Sequence, residues 1–404
     1  MSTMTDDPKL IKENAQTGLI SRLRSRLSRT ELGPLPVIIG LLAIWAVFQI
    51  ANPLFLSPLN LTNLILQITA TGIMSVGIVL VLLLGEVDLS IGSVSGVTAS
   101  IMVVLNVKMG LPGWEAVLAA LAAGLAIGAF QGFWVARLRV PSFIVTLAGL
   151  LGWQGLQLYV LGNTGTINLR DKFILSLATT FYPKNIGWIV GVAFILVFFL
   201  SMVFERRRRL GEGLTTSTTG GVIFRTALIA VGVLGMVAIF NSNRGLPNSV
   251  VIFIGLIVIF DLILRRTTFG RHIFAVGGNP EAARRATINV GRIRIAVFTL
   301  GSLMAAVGGV MAGSRLLAVN QSSGSSDVLL NAIAGAVIGG TSLFGGRGSV
   351  WAALLGALVI GSISNGMDLL ALASPIKFMI TGGVLLAAVT IDALVRRQRE
   401  ATGR

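Results

Sequence analysis

Residues 65–84 read ILQITATGIMSVGIVLVLLL, twenty residues without a single Asp, Glu, Lys or Arg. A helix of about 20 residues crosses the roughly 30 Å hydrocarbon core of a bilayer, and runs of this kind recur along the chain. Over the 404 residues, 54% are hydrophobic and only 12% charged, with a mean hydropathy of +0.86. That is too apolar for a soluble protein of this size. Strict alternation of apolar and polar residues is absent, which argues against a transmembrane barrel. The fold class predicted is all-α, a polytopic membrane protein with about twelve transmembrane helices. The spans are placed at about 35–52, 63–84, 88–107, 113–136, 142–161, 186–204, 222–240, 248–264, 295–314, 328–344, 349–367 and 375–394. This leaves an N-terminal tail, 1–33, a transmembrane domain, 34–395, and a short tail, 396–404.

Charge sets the expected orientation. With an inside N-terminus, 25 of the 32 Lys and Arg residues fall on the cytoplasmic side and 7 on the other, so the positive-inside rule puts both termini in the cytoplasm. The net charge of +16 would suggest nucleic acid in a soluble protein. Here it clusters between apolar runs, and topology explains it, so no nucleic-acid partner is expected. Residues 1–33 are polar and carry no signal-peptide core. There is no cysteine and one histidine, His272, so no cysteine- or histidine-rich metal site is expected. No Gly-Lys dipeptide occurs, which excludes the nucleotide-binding loop GxxxxGK[ST]. Neither GxSxG nor HExxH is present. No catalytic residue and no cofactor of the chain's own are expected; any ATP would be bound elsewhere.

The apolar pattern breaks at GEVDLSIGSVSG, Gly85 to Gly96. Buried ionised carboxylates are costly, so Glu86 and Asp88 need a reason. In one reading Asp88 or Ser90 caps the third span at the inner interface. In the other, Glu86, Asp88, Ser90 and Gly92 belong to a broken helix lining a translocation path, since irregular backbone is tolerated there. A second segment, GTSLFGGRGSV from Gly340 to Val350, echoes the first and suggests a parallel repeat. Glycines spaced by four, such as Gly124, Gly128 and Gly132, let helices approach closely, within the chain or between copies. Gln154, with Trp153 and Tyr159, sits in the fifth span where it would meet a polar solute or simply pack. Asn365 and Asp368 lie near an outer helix end, as loop polarity or an outer gate. Arg170, Lys172 and Lys184 occupy the long outer loop, where a partner would dock through charge. Asp261 with Arg265, and Asp392 with Arg396, are i,i+4 pairs at inner helix ends.

The most informative polar segment is RRTTFGRHIFAVGGNPEAARRATINVGRIR, Arg265 to Arg294. Within it, GGNPEAARRATINVG is predicted to form one helix of about ten residues. Asn279 suits the N-cap, Pro280 the first turn, and Glu281 the positive end of the dipole. Ala282, Ala283 and Ala286 favour helix, while Asn289 and Gly291 would end it. Helices this short are marginal alone in water. The segment therefore either docks on something or lies along the membrane surface.

Four motifs carry a resemblance. GGNPEAARRATINV, preceded by FGRHIFAVG, resembles the coupling loop of the permease subunits of bacterial ABC sugar importers of the ribose, arabinose and xylose class. GEVDLSIGSVSG resembles that class's Gly-(Gly/Glu)-x-Asp-Leu-Ser-x-Gly signature. AIAGAVIGGTSLFGGRGSVWAALLGALVIG is similar to its C-terminal signature, and VPSFIVTLAGLLG fits as well. The motifs keep the family order from about residue 60 to the C-terminus. Glu86 in the second place of the signature, and the apolar pair around 186–240, most resemble the xylose-type members. The resemblance implies a homodimer of permeases in the bacterial inner membrane. It also implies an ATP-binding subunit carrying ATP and Mg, a periplasmic sugar-binding protein, and a sugar, xylose or another pentose, as substrate. It assigns docking on the ATP-binding subunit to Gly278, Asn279, Glu281, Ala282, Ala283 and Arg284. Arg285 and Ala286 depart mildly from the class, which more often has a small or apolar pair there. The rival reading is an ion-coupled secondary transporter in which Glu86 and Asp88 carry the coupling ion.

Overall fold

The computed structural model describes residues 35–401, apart from 215 and 217 and the side chains of 388, 391, 392 and 394–401. The predicted tail 1–33 and the Asp392–Arg396 pair lie outside the described residues. So do residues 402–404 of the predicted C-terminal tail, while the helix before them runs on to Ala401.

Each apolar run forms a helix. The first is α1 (Leu35–Ala51), followed by α2 (Pro58–Leu83), which opens with Ser57 accepting the Asn60 N–H and with proline in the first turn. Next come α3 (Ile91–Val103), prolonged by a π-turn at Val104–Lys108, then α4 (Gly113–Ala136) and α5 (Ser142–Leu161). A connection holds β1 (Thr166–Asn168), α6 (Lys172–Thr179) and β2 (Phe181–Tyr182). It leads to the hairpin α7 (Lys184–Gly211) and α8 (Thr219–Asn243), then β3 (Leu246–Pro247) and α9 (Asn248–Arg266). The polar segment carries α10 (Thr268–Gly278) and α11 (Pro280–Arg285) before α12 (Val290–Leu316) and β4 (Ala318–Asn320). The chain closes with α13 (Ser326–Ile338), α14 (Trp351–Leu369) and α15 (Ser374–Ala401). Two short antiparallel pairs, β1 with β4 and β2 with β3, staple the connections together.

Among the described residues, nine helices are long and apolar enough to cross a membrane: α2, α3 with its π-turn, α4, α5, α7, α8, α9, α12 and α14. Three shorter apolar helices, Leu35–Ala51, Ser326–Ile338 and Ser374–Ala387, occupy the other three predicted positions. The chain is thus helical and multi-pass.

The core is built around α2, 83% of whose most apolar stretch is buried, and α12, 61% buried by the same measure. Apolar surface gives little drive for association between helices in lipid, so close backbone packing must supply it. The four-spaced glycines do this within the chain. A Cβ at Gly128 of α4 would lie 2.5 Å from the Phe298 carbonyl oxygen of α12, and one at Gly124 2.6 Å from the Ala306 side chain. Gly309 of α12 approaches the Ser95 carbonyl of α3 as closely. By contrast α7 and α8 stand at the periphery, only 11% buried each.

The α4–α12 seam makes a stability prediction. Gly128→Ala should lower the stability of the purified chain by about 1–3 kcal/mol, because the added methyl meets backbone that cannot move aside. Gly152→Ala, where a Cβ meets nothing within 4 Å, should be neutral or raise it by up to about 1 kcal/mol. Thermal unfolding of the two variants in the same detergent checks the contrast.

Candidate functional site

The polar segment after α9 folds by successive capping. Thr267 accepts the Gly270 N–H at 3.1 Å and starts α10, whose Gly270, Ile273 and Val276 face the core. His272, predicted at the surface of this segment, is half-buried on α10. Gly278 is exposed at its end, and Asn279 turns the chain out of helix at φ −158°, ψ 102°. The Asn279 Oδ1 accepts the N–H groups of Glu281 and Ala282, each at 3.0 Å, satisfying donors that a helix start leaves free. The helix that follows, α11, has 6 residues, shorter than the ten or so predicted. The reason is that Asn289 does not end it. Its Oδ1 accepts the Arg292 N–H at 3.0 Å and begins α12, while the Thr287 N–H donates to Arg284 O and Ile288 N–H to Ala283 O to close the turn between. Ala283 is buried, and Glu281, Ala282, Arg284 and Arg285 are exposed. Glu281 and Arg284 pair at 2.8 Å along the outer face.

Both flanks of this element are fastened to one place, the turn after α2. On the leading side, a Cβ at Gly277 would fall 1.8 Å from the Leu83 carbonyl oxygen, so only glycine fits. The same Leu83 oxygen accepts the Gly346 N–H at 2.9 Å. Gly345, at φ 85°, fills the remaining space: its Cβ would meet Gly277 O at 2.7 Å and Gly85 N at 2.8 Å. Three backbones therefore cross here without side chains between them, and the two echoing segments, Gly85–Gly96 and Gly340–Val350, meet. On the trailing side, Arg294 of α12 pairs with Glu86 at 2.8 Å, with side chains 22% and 14% exposed.

Asp88 has a different environment from Glu86. It is 2% exposed, so it does not reach the inner interface as a solvated cap. Its Oδ1 accepts the Ser90 N–H at 2.8 Å and the Ser90 hydroxyl at 2.7 Å, and Oδ2 has no partner among the described residues. Ser90 occupies the N-cap position of α3 without capping it through its side chain; its hydroxyl instead accepts from Gln131 Nε2 at 2.8 Å. Asp88 therefore holds a local turn that interrupts helix.

The interruption is deep. Val87 N–H donates to Ser142 at 3.3 Å, and Thr146 donates to the Val87 carbonyl at 3.3 Å, at the start of α5. Ser90 lies beside Gly149, seven residues or about 10 Å further along α5. So α3 begins part-way along α5. There Gly92 meets Gly324: a Cβ on Gly92 would lie 2.9 Å from Gly324 O, just before α13 begins. Helix α3 runs away from the Leu83 turn, and α13 runs back towards it. The N-termini of two short helices thus adjoin inside the protein, with Gln157 of α5 donating to the carbonyls of Asn320 and Ser323 at 3.1 and 2.8 Å.

Other predicted residues are placed elsewhere. Gln154 is exposed on α5, and it is Gln157, one turn on, that is buried. Trp153 packs edge-on against Phe130, with ring centroids 6.0 Å apart, and Tyr159 is exposed. Asn365 is 3% exposed, accepting from Asn60 at 2.7 Å and donating to Gln67 at 3.3 Å, so it ties α14 to α2 and does not line an outer opening. Asp368 pairs with Lys377. Asp261 and Arg265 form the expected pair at 2.8 Å. Arg170, Lys172 and Lys184 are all exposed. Among the described residues, no group of three His, Cys, Asp or Glu side chains comes together to hold a metal. Arg294, Gln131 and Gln157 were not singled out from sequence, although an amide inside an apolar run was the available signal for the last two.

The chain matches the family described as Branched-chain amino acid transport system / permease component over residues 60–389. It is 38% identical to the Xylose transport system permease protein XylH of Escherichia coli (strain K12), over 85% of this chain and 87% of that one. It is 32% identical to the Ribose import permease protein RbsC of the same strain, over 88% and 92% of the two chains. The L-arabinose ABC transporter permease protein AraH of Azospirillum brasilense is 30% identical, over 90% and 89%. No solved structure matches.

The Glu86–Arg294 pair predicts a charge-swap result. Arg294→Glu alone leaves two carboxylates facing each other in a half-buried place and should cost about 2–4 kcal/mol. Adding Glu86→Arg should recover at least half of that loss. Thermal unfolding of the two single variants and the double variant measures the coupling directly.

Proposed function

Since the chain belongs to this family of permease components, we propose that it is the membrane-spanning permease subunit of an ATP-driven, binding-protein-dependent sugar importer. The proposed substrate is a pentose, with xylose first, because the relatives named for xylose transport match at higher identity than those named for ribose or arabinose. A permease component is not itself an enzyme. ATP and Mg would be held by a separate ATP-binding subunit, and this chain would bind no cofactor. A second copy of the permease would complete the path, a periplasmic sugar-binding protein would deliver the sugar, and the assembly would sit in the bacterial inner membrane with both termini in the cytoplasm.

The observation that carries the coupling role is the exposed, doubly capped α11 with both flanks tied to the turn after α2. A short helix held this way moves as a unit with its attachments. Displacement of α11 by the ATP-binding subunit would be delivered to Leu83 and Glu86, and from there through Val87 and Asp88 to the start of α3. That start adjoins the start of α13, so the two short helices are proposed to form the part of the translocation path that rearranges. Irregular backbone at this depth is tolerable because protein encloses it. Asp88, Ser90 and Gly92 would act there; Gln154, exposed on α5, would face the second copy or lipid. Asn365 is proposed to brace α14 on α2. No observation favours the ion-coupled alternative, and Glu86 is already neutralised by Arg294.

The test is Glu281→Arg in the assembled importer. The side chain is exposed, and losing its favourable place at the helix start costs about 0.3–1 kcal/mol, too little to unfold the chain. Uptake of labelled xylose should fall at least about tenfold, equivalent to about 1.4 kcal/mol, with unchanged amounts of protein in the membrane. Normal uptake by this variant would overturn the assignment of α11.

A further inference from the structure

The hairpin of α7 and α8 takes no part in the coupling path, yet one end of it is strongly charged. Arg206, Arg207, Arg208 and Arg209 end α7, and Arg225 lies in the second turn of α8. Glu205 and Glu212 are the acidic residues of this end, and Glu205 is occupied by Arg209 at 2.7 Å. Arg207, Arg208 and Arg225 are exposed, and the Arg206 Nε is buried without a partner among the described residues. Phe204 and Phe224, interleaved with these arginines, are 64% and 71% exposed.

We propose that this end of the hairpin is a binding site for anionic phospholipid. The occupant follows from continuity. Both helices are only 11% buried, so lipid chains cover them along most of their length. With 28 residues, α7 is about 42 Å long, longer than the roughly 30 Å hydrocarbon core. Its last residues therefore stand at headgroup depth. The exposed phenyl rings take the upper acyl segments, and the guanidinium groups take phosphate oxygens in the paired geometry they favour. A zwitterionic headgroup offers the same phosphate but carries its own cation, which five arginines against two glutamates repel. The site therefore discriminates by headgroup charge.

The experiment reconstitutes the full chain in phosphatidylcholine vesicles containing about one-fifth phosphatidylglycerol, extracts it, and measures retained lipid by native mass spectrometry. Near a bilayer surface each basic residue contributes roughly a fivefold preference for anionic lipid. The wild-type chain should therefore retain phosphatidylglycerol at least about fivefold over its share in the vesicle. R206Q/R207Q/R208Q should lower this ratio at least about fivefold, and R206K/R207K/R208K should keep most of it. R137Q/R139Q, which removes exposed arginines at the end of α4, should lower the ratio less than R206Q/R207Q/R208Q does. Retention in proportion to the vesicle, or an undiminished ratio in the glutamine variant, would overturn the proposal. If the glutamine variant does not fold, photo-reactive phosphatidylglycerol on the wild-type chain decides. Labelling between residues 204 and 225 supports the site, and labelling confined to other regions overturns it.

Discussion

A peptide group inside a bilayer has no water to bond, so backbone can leave helix only where the protein itself supplies the partners. The rest of this structure depends on how residues 84–90 meet that requirement. Leu84, Gly85 and Glu86 donate back to the last turn of α2. Val87 gives its N–H to Ser142 and its carbonyl to Thr146, and Ser90 gives its N–H to Asp88. Every one of these bonds is made by a neighbouring helix or by the segment itself. The helix can therefore stop, pass the start of α5, and begin again as α3 beside Gly149, where Asp88 and Ser90 are enclosed by protein.

The break joins the polar segment to the start of α3, alongside the direct packing of α12 on α3. Its near end, Leu83 to Glu86, touches the polar segment on both flanks of α11, by bare backbone at Gly277 and by charge at Arg294. Its far end sets the start of α3 beside the start of α13. Glycine is what permits the near junction: a single methyl at Gly277 would overlap a carbonyl oxygen. Contacts between backbones have little slack compared with contacts between flexible side chains, which suits a joint that passes on displacement. The pairing of Arg294 with Glu86 adds a directional, partly desolvated tie at the other flank, so α11 is held at two points and not merely hinged at one.

Much of this was legible in the sequence. Among the described residues, nine of the twelve predicted spans are helices long and apolar enough to cross a membrane and the other three positions hold shorter apolar helices, because a run of about 20 uncharged residues has few other solutions in a membrane chain. The cap at Asn279–Pro280 was legible because both residues have local reasons to start a helix. The length of α11 was not, since asparagine suits the end of one helix and the beginning of the next, and tertiary packing decides which. Gln154 and Gln157 are equivalent in sequence, one turn apart on a helix that is apolar all round, and burial alone separates them. The Asp88 and Glu86 carboxylates looked like a pair, yet one is enclosed with Ser90 and the other is answered by Arg294 from a distant stretch of chain. Such partners follow from the fold and leave no local trace.

Uptake of radiolabelled xylose into proteoliposomes, with each component omitted in turn, is the most direct measure of what the chain does. Accumulation that requires the ATP-binding subunit, the sugar-binding protein and internal ATP together is the result this structure and its family lead to. Accumulation by the chain alone under a proton or sodium gradient would contradict it and return Asp88 to the centre of a different mechanism.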